Sequence, residues 1–294
     1  MIPLALLSQP ESATLLWPAI VATLVISVMG AALSIFVVLK RLAFIGQGIS
    51  HAGFGGVGVA LILGVHTTST MGSIGQLAIV VIFCVLAALW IAALTRAHKG
   101  RGDTAIGVVL SASMALGFVL FSIAESGHDL GAGSGHDDLE EVLFGSIRGT
   151  TETSAAIAIA VATAVMGATW LLRRRLIFWS FDEPVCDAFG LDSARVTNLF
   201  FVILALAIVM AMQIAGVVLA AAMLVLPGAA ALNLSLRLRP AFIYAIAIAL
   251  IGAGAGMVVG AEGHYPIGPS VVLAQSVIYL ATLAAKSLRA RLRS

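Results

Sequence analysis

Long apolar runs alternate with short polar connectors along this chain, and the cationic residues gather on every second connector. The chain has sixteen Lys and Arg residues. Threaded to and fro through a bilayer, it places all of them except Arg148 on one side. These are Lys40 and Arg41; Arg96, Lys99 and Arg101; Arg173, Arg174, Arg175 and Arg195; Arg237 and Arg239; and Lys286, Arg289, Arg291 and Arg293. With 61% hydrophobic and only 10% charged residues, the composition is that of an integral membrane protein. The apolar runs predict an all-α polytopic fold of about nine spans of roughly 17–25 residues each. They lie near 15–39, 44–64, 76–94, 104–123, 152–172, 197–214, 216–234, 240–259 and 268–286. Eight spans is the alternative, with 197–234 forming one span and a re-entrant hairpin. The excess of basic residues marks the cytoplasmic side, so the N-terminus is expected outside and the C-terminus inside. The acids lean the other way: Glu11, Glu125, Asp129, Asp137, Asp138, Glu140, Glu141, Glu152 and Glu262 all fall on the outer face.

Residues 1–294 read as a single membrane domain, with no room for a soluble catalytic domain. The longest polar stretches fall near 124–151 and 173–196. No GxxxxGK[ST] occurs, so the chain has no P-loop of its own, and neither HExxH nor GxSxG is present. Topology and anionic lipid account for the basic residues, and no nucleic-acid partner is implied. Cys84 lies in an apolar run and Cys186 on the basic side, so both read as free thiols. The first 20 residues lack a basic n-region and contain Pro3, Pro10 and Pro18, so no cleaved signal peptide is expected.

The second span is the least ordinary segment. Gly48, Ala52, Gly56 and Ala60 recur every four residues and form a smooth ridge for close helix packing. Gln47, His51 and Gly55 form the adjacent ridge, which stacks two polar side chains one turn apart inside an apolar span. Polar groups at that depth face the protein interior or a cavity, because lipid cannot satisfy them. His51 is the only histidine in any span. Two readings of it stand: a hydrogen-bonded interhelical residue, or a transient ligand for zinc, manganese or iron along a pathway. Spacing alone does not separate them.

The stretch "KRLAFIGQGISHAGFGG" (40–56) resembles the "RRxxxxGDxxSHA…G" mark of the permease subunits of ABC importers for zinc, manganese and iron. The likeness extends through "LFGSI" (143–147), "SFDEPVCDAFGLDSARV" (180–196), "IAGVVLAAAMLVLPGAAA" (214–231) and "YPIGPSVVL" (265–273). The resemblance implies a transport permease in a bacterial cell membrane that works as a homodimer. It also implies a separate P-loop ATPase subunit on the cytoplasmic face and an extracytoplasmic metal-binding protein outside. His51 carries over directly as a metal contact. The family's acid is Gln47 here, which replaces an anionic ligand with an amide oxygen.

The cytoplasmic stretch 176–196 holds a Pro preceded by acids, a short amphipathic run and Gly190 as a stop. The resemblance makes this the coupling helix that docks on the ATPase, with Asp182, Glu183, Val185, Ala188, Phe189 and Gly190 as its contact residues. Outside, the loop 124–151 repeats G-H-D, and His128, His136 and Asp137 offer weak ligands on a flexible tether. A solvated acidic loop is the equal alternative. In 214–231, Gly216 and Pro227 bracket a small-residue run suited to close packing around the pathway, with a break at Pro227. Glu262 and His264 fall in the last outer loop, at the mouth of the pathway or simply in solvent. No cofactor is expected beyond the transported ion, and the permease itself does no covalent chemistry. Histidine favours zinc, manganese or iron over calcium or magnesium. The rival class is a secondary transporter driven by protons or sodium, which should show acids inside its spans. No Asp or Glu lies well inside any span here. An intramembrane hydrolase would need a Ser/His or paired-Asp arrangement, and none is present.

Overall fold

The computed structural model describes residues 10–65, 70–97, 102–127, 152–181, 186, 189–190, 192–263 and 265–291. Every regular element among them is a helix: α1 (Pro10–Leu39), α2 (Ile45–Ile62), α3 (Thr70–Ala97), α4 (Gly102–Gly127), α5 (Glu152–Phe181), α6 (Ser193–Met223), α7 (Leu226–Leu234), α8 (Leu238–Glu262) and α9 (Ile267–Arg291). A helix pairs each backbone N–H and C=O within its own segment, as apolar surroundings require. The hydroxyls in the spans do the same. Thr23 donates to the Ala19 carbonyl, Ser27 to Thr23, Ser50 to Gly46 and Thr169 to Val165, so these four are satisfied within their own helices.

Eight described segments are long and apolar enough to cross a membrane, and one of them, Ser193–Leu234, has 42 residues. As continuous helix that is about 63 Å, twice the roughly 30 Å of hydrocarbon. The segment is broken twice instead. Gly216 takes φ 80° and ψ 165°, a backbone region that a side chain would strain. A second interruption at Leu224–Val225 precedes α7, which starts with Pro227 in its first turn, where a missing N–H costs nothing. Both limbs lie against the same end of α1. Phe200 packs edge-on against Phe36 at 6.1 Å. A Cβ on Gly228 would come 2.6 Å from the Ser34 carbonyl carbon, and one on Gly30 would come 3.1 Å from Met223 Cβ. The chain therefore climbs α6 to Gly216 and descends beside α1, returning to the side it left. The expected spans 197–214 and 216–234 are the two limbs of this hairpin, and its descending limb breaks just before Pro227.

One buried apolar cluster joins residues of α1 through α6 with Ala253 of α8 and Val271 of α9. At its basic end, Trp179 and Phe200 pack at 5.3 Å, and Phe36 and Phe242 at 5.5 Å. The Lys40 ammonium sits 4.0 Å above the Trp179 ring centre, a cation–π contact of about 0.5–2 kcal/mol. It ties the end of α1 to the end of α5. Arg41, next in the chain, takes a left-handed backbone (φ 57°) and turns the path from α1 into α2. Helix α5 continues past the expected end at 172 to Phe181, because arginine, leucine and isoleucine after the apolar run carry no breaker.

Candidate functional site

Helix α2 is built so that three elements can close on it. A Cβ on Gly48 would meet Ile106 of α4 at 2.7 Å, and one on Gly56 would meet the Val80 backbone of α3 at 2.9 Å. Gly58 faces Leu120 of α4 at 2.9 Å, Gly53 faces Met212 of α6 at 2.7 Å, and Gly46 faces Ala221 on the returning limb at 3.1 Å. Ala52 and Ala60 are fully buried. The row Gly48, Ala52, Gly56, Ala60 therefore lies inside the bundle, and Cys84 of α3 donates its Sγ–H to the Ile49 carbonyl at 3.5 Å.

One strip of α2 stays open. Gln47 is exposed and His51, one turn on, is half-buried, with Phe44 exposed one turn before Gln47. The strip closes at Gly55, whose Cβ would meet the Phe83 ring at 2.7 Å. The His51 ring stacks on Phe54, with centroids 5.9 Å apart and planes at 16°. Its Nδ1 is buried and has no hydrogen-bond partner among the described residues. Held flat by Phe54, the imidazole keeps a lone pair or N–H unspent beside an open strip. Among the described residues no three His, Cys, Asp or Glu side chains come together. An ion on this strip would meet one imidazole and one amide, a set suited to passing contact rather than storage.

At the basic end, Phe189 is 76% exposed and meets Phe178 edge-on at 5.8 Å and 88°. With Arg174 and Arg175 these two rings line a shallow groove. Gly190 takes φ 76° in the turn that follows, and Asp192 then caps α6 by accepting from the Arg195 backbone N–H at 3.0 Å. Cys186 is buried, and Phe181 is exposed at the tip of α5. Asp182, Glu183, Val185 and Ala188 lie outside the described residues, as do His128, His136, Asp137 and His264. Glu262 is described, as the exposed last residue of α8 rather than a loop residue. The structure thus brings Gln47 and His51 onto one strip and leaves Phe189 and Glu262 elsewhere. The Lys40–Trp179 contact was not foreseen. Its one sequence signal is a lone Trp just beyond the charged triplet 173–175, opposite a basic pair at the end of the first span.

The fold is that of a helical membrane protein with a broken hairpin packed on a glycine-rich polar helix. The family model described as the ABC 3 transport family matches residues 12–286, and this chain belongs to that family. It is 30% identical over 266 residues to the manganese import system permease protein ScaB of Streptococcus gordonii, covering 89% of this chain and 88% of that protein. It is 28% identical over 279 residues to the chelated iron transport system membrane protein YfeD of Yersinia pestis, covering 95% and 88%. Among solved structures, PsaBC from Streptococcus pneumoniae in complex with Fab superposes with a TM-score of 0.76 at 26% identity, covering 95% of this chain and 92% of that one.

Proposed function

We propose that this chain is the membrane permease of an ATP-driven importer of divalent transition-metal ions, with manganese and iron ahead of zinc as cargo. The observation that carries the proposal is the open Gln47–His51 strip on a helix that is otherwise enclosed as far as its last turn, in a chain of the ABC 3 transport family. The names of the relatives, manganese for one and chelated iron for the other, favour those two metals.

In this reading residues 1–294 form one permease domain, and two copies enclose a pathway lined by the α2 strips. The basic side faces the cytoplasm, where the segment after α5 docks through Phe189 on an ATPase subunit. A soluble metal-binding protein delivers the ion on the acidic side, where His128, His136, Asp137, Glu262 and His264 fall. Motion at the ATPase has a short mechanical route to the strip. Phe189 rests on Phe178, the neighbouring Trp179 lies under Lys40, and Arg41 leads directly into α2. His51 contacts the ion in transit, and Gln47 tunes that contact as a neutral oxygen. Without the attraction of a carboxylate, release is faster than it would be with an acid there.

Uptake of radioactive manganese, iron and zinc by a deletion strain, with and without the chain and its ATPase, tests the proposal. ATP-dependent restoration for one of the three metals is expected. Restoration that survives ATP depletion but collapses with a protonophore would instead establish an ion-coupled secondary transporter. In a background with Cys84 and Cys186 replaced, Ala261→Cys should react with impermeant thiol reagents in intact cells and Leu236→Cys should not. The reverse pattern would invert the proposed orientation. Phe189→Asp should abolish co-purification with the ATPase, since a charge in an apolar groove costs several kcal/mol; a normal complex would move the docking site elsewhere.

A further inference from the structure

Helix α5 presents a second surface, beside the segment proposed to dock on the ATPase. Its apolar run, 152–172, is about 31 Å long, the thickness of the hydrocarbon layer. Arg173, Arg174 and Arg175 follow at once, all exposed, so they sit where the lipid headgroups lie. Trp170 and Leu171, just before them, are also exposed, at 64% and 76%. An exposed Trp at that level is the usual anchor between acyl chains and headgroups.

Arg173 is held against the helix. The Arg173 guanidinium lies 4.1 Å over the Trp170 ring, and its Nη1 donates to the Trp170 carbonyl at 3.4 Å. Trp170, Arg174 and Phe178 recur every four residues and so share one face of the helix. There Arg174 and Arg175 line the groove walled by the Phe178–Phe189 pair. No carboxylate among the described residues forms an ion pair with any of the three arginines. Two guanidinium groups between aromatic walls, level with the phosphates and continuous with an apolar strip below, match an amphipathic anion whose tail lies in the bilayer.

We infer that this groove binds the headgroup phosphate of an anionic phospholipid in the basic-side leaflet, with an acyl chain lying along Trp170 and Leu171. Because one wall is Phe189, the bound lipid joins α5 to the segment proposed to dock on the ATPase. The inference rests on the chain crossing a bilayer and not on which metal it carries.

Native mass spectrometry of the full chain, released from mixed phosphatidylglycerol and phosphatidylcholine, tests it. Wild type should retain phosphatidylglycerol over phosphatidylcholine by about thirtyfold, in line with two basic residues at an anionic surface. The double variant Arg174→Gln/Arg175→Gln should lose that preference. Arg289→Gln/Arg291→Gln removes the same charge from exposed positions on α9 and should keep it. Arg174→Lys/Arg175→Lys, which keeps charge but not the two-pronged contact, should retain part of it and guards against a folding artefact. Equal loss in the α9 variant would reduce the effect to bulk charge and overturn the site. The site would also fall if the groove variant kept its lipid preference while losing its ATPase, which would assign the groove to the protein partner.

Discussion

Helices α2 and α3 pack against each other and solve opposite problems. Of the eight candidate spans α2 is the least apolar and α3 the most, yet 72% of the α2 window is buried against 33% for α3. Helix α3 turns Ile82, Leu86 and Trp90 outward, and each is at least 51% exposed. Lipid tails are as apolar as those side chains, so hydrophobicity secures a crossing but does not draw a helix inward. Small residues do that by letting backbones approach. In α2 the glycines at 46, 48, 53, 55, 56 and 58 admit α3, α4 and the α6 hairpin, and the one strip they leave open carries Gln47 and His51. Of this pair, the less apolar helix is the interior one.

If that contrast is right, substitutions should separate the two helices sharply. The largest effect is expected for Gly56→Leu, which drives a side chain into the Val80 backbone and the Phe83 Cβ. Nothing there can yield, and the variant should fail to give a monodisperse protein in detergent. Gly48→Ala should cost about 1–3 kcal/mol by overpacking, since its neighbour is the Ile106 side chain. Ile106→Ala should recover part of that loss in the double variant, and thermal unfolding of all three proteins measures the coupling. Gln47→Ala should fold normally and keep partial transport. Gln47→Asp should bind the ion more tightly and release it more slowly, because a charge is added in a low-dielectric strip. The smallest effect is expected for Leu86→Ala on the lipid face of α3, within about 0.5 kcal/mol. A large loss there would mean that α3, not α2, faces the interior.

The spans were legible because each crossing needs a long apolar run, and the charge alternation fixed which ends share a side. The polar strip was legible too, since one His and one Gln four residues apart stand out in an apolar helix. Whether 193–234 crosses as two straight helices or as a broken hairpin was not legible. Its course depends on the backbone of Gly216 and on contacts of Gly30 and Ser34 with residues far along the chain. The extension of α5 beyond its apolar run was not legible for a simpler reason. Arg173–Arg175 end the apolar run, but charge ends a membrane span without ending a helix. The Lys40–Trp179 contact joins residues distant in sequence and follows no spacing rule. Sequence placed Glu262 in a loop because it stands among Gly and Pro residues, yet α8 continues through it and ends at Gly263.

The central claim is that the open strip of α2 is the path of the ion and that His51 touches it. Metal uptake by His51→Ala, measured in the assembled complex with its ATPase, tests this most directly. The account predicts a protein that folds, binds its ATPase and does not transport. Uptake at the wild-type rate would make His51 a packing residue and place the pathway on other helices.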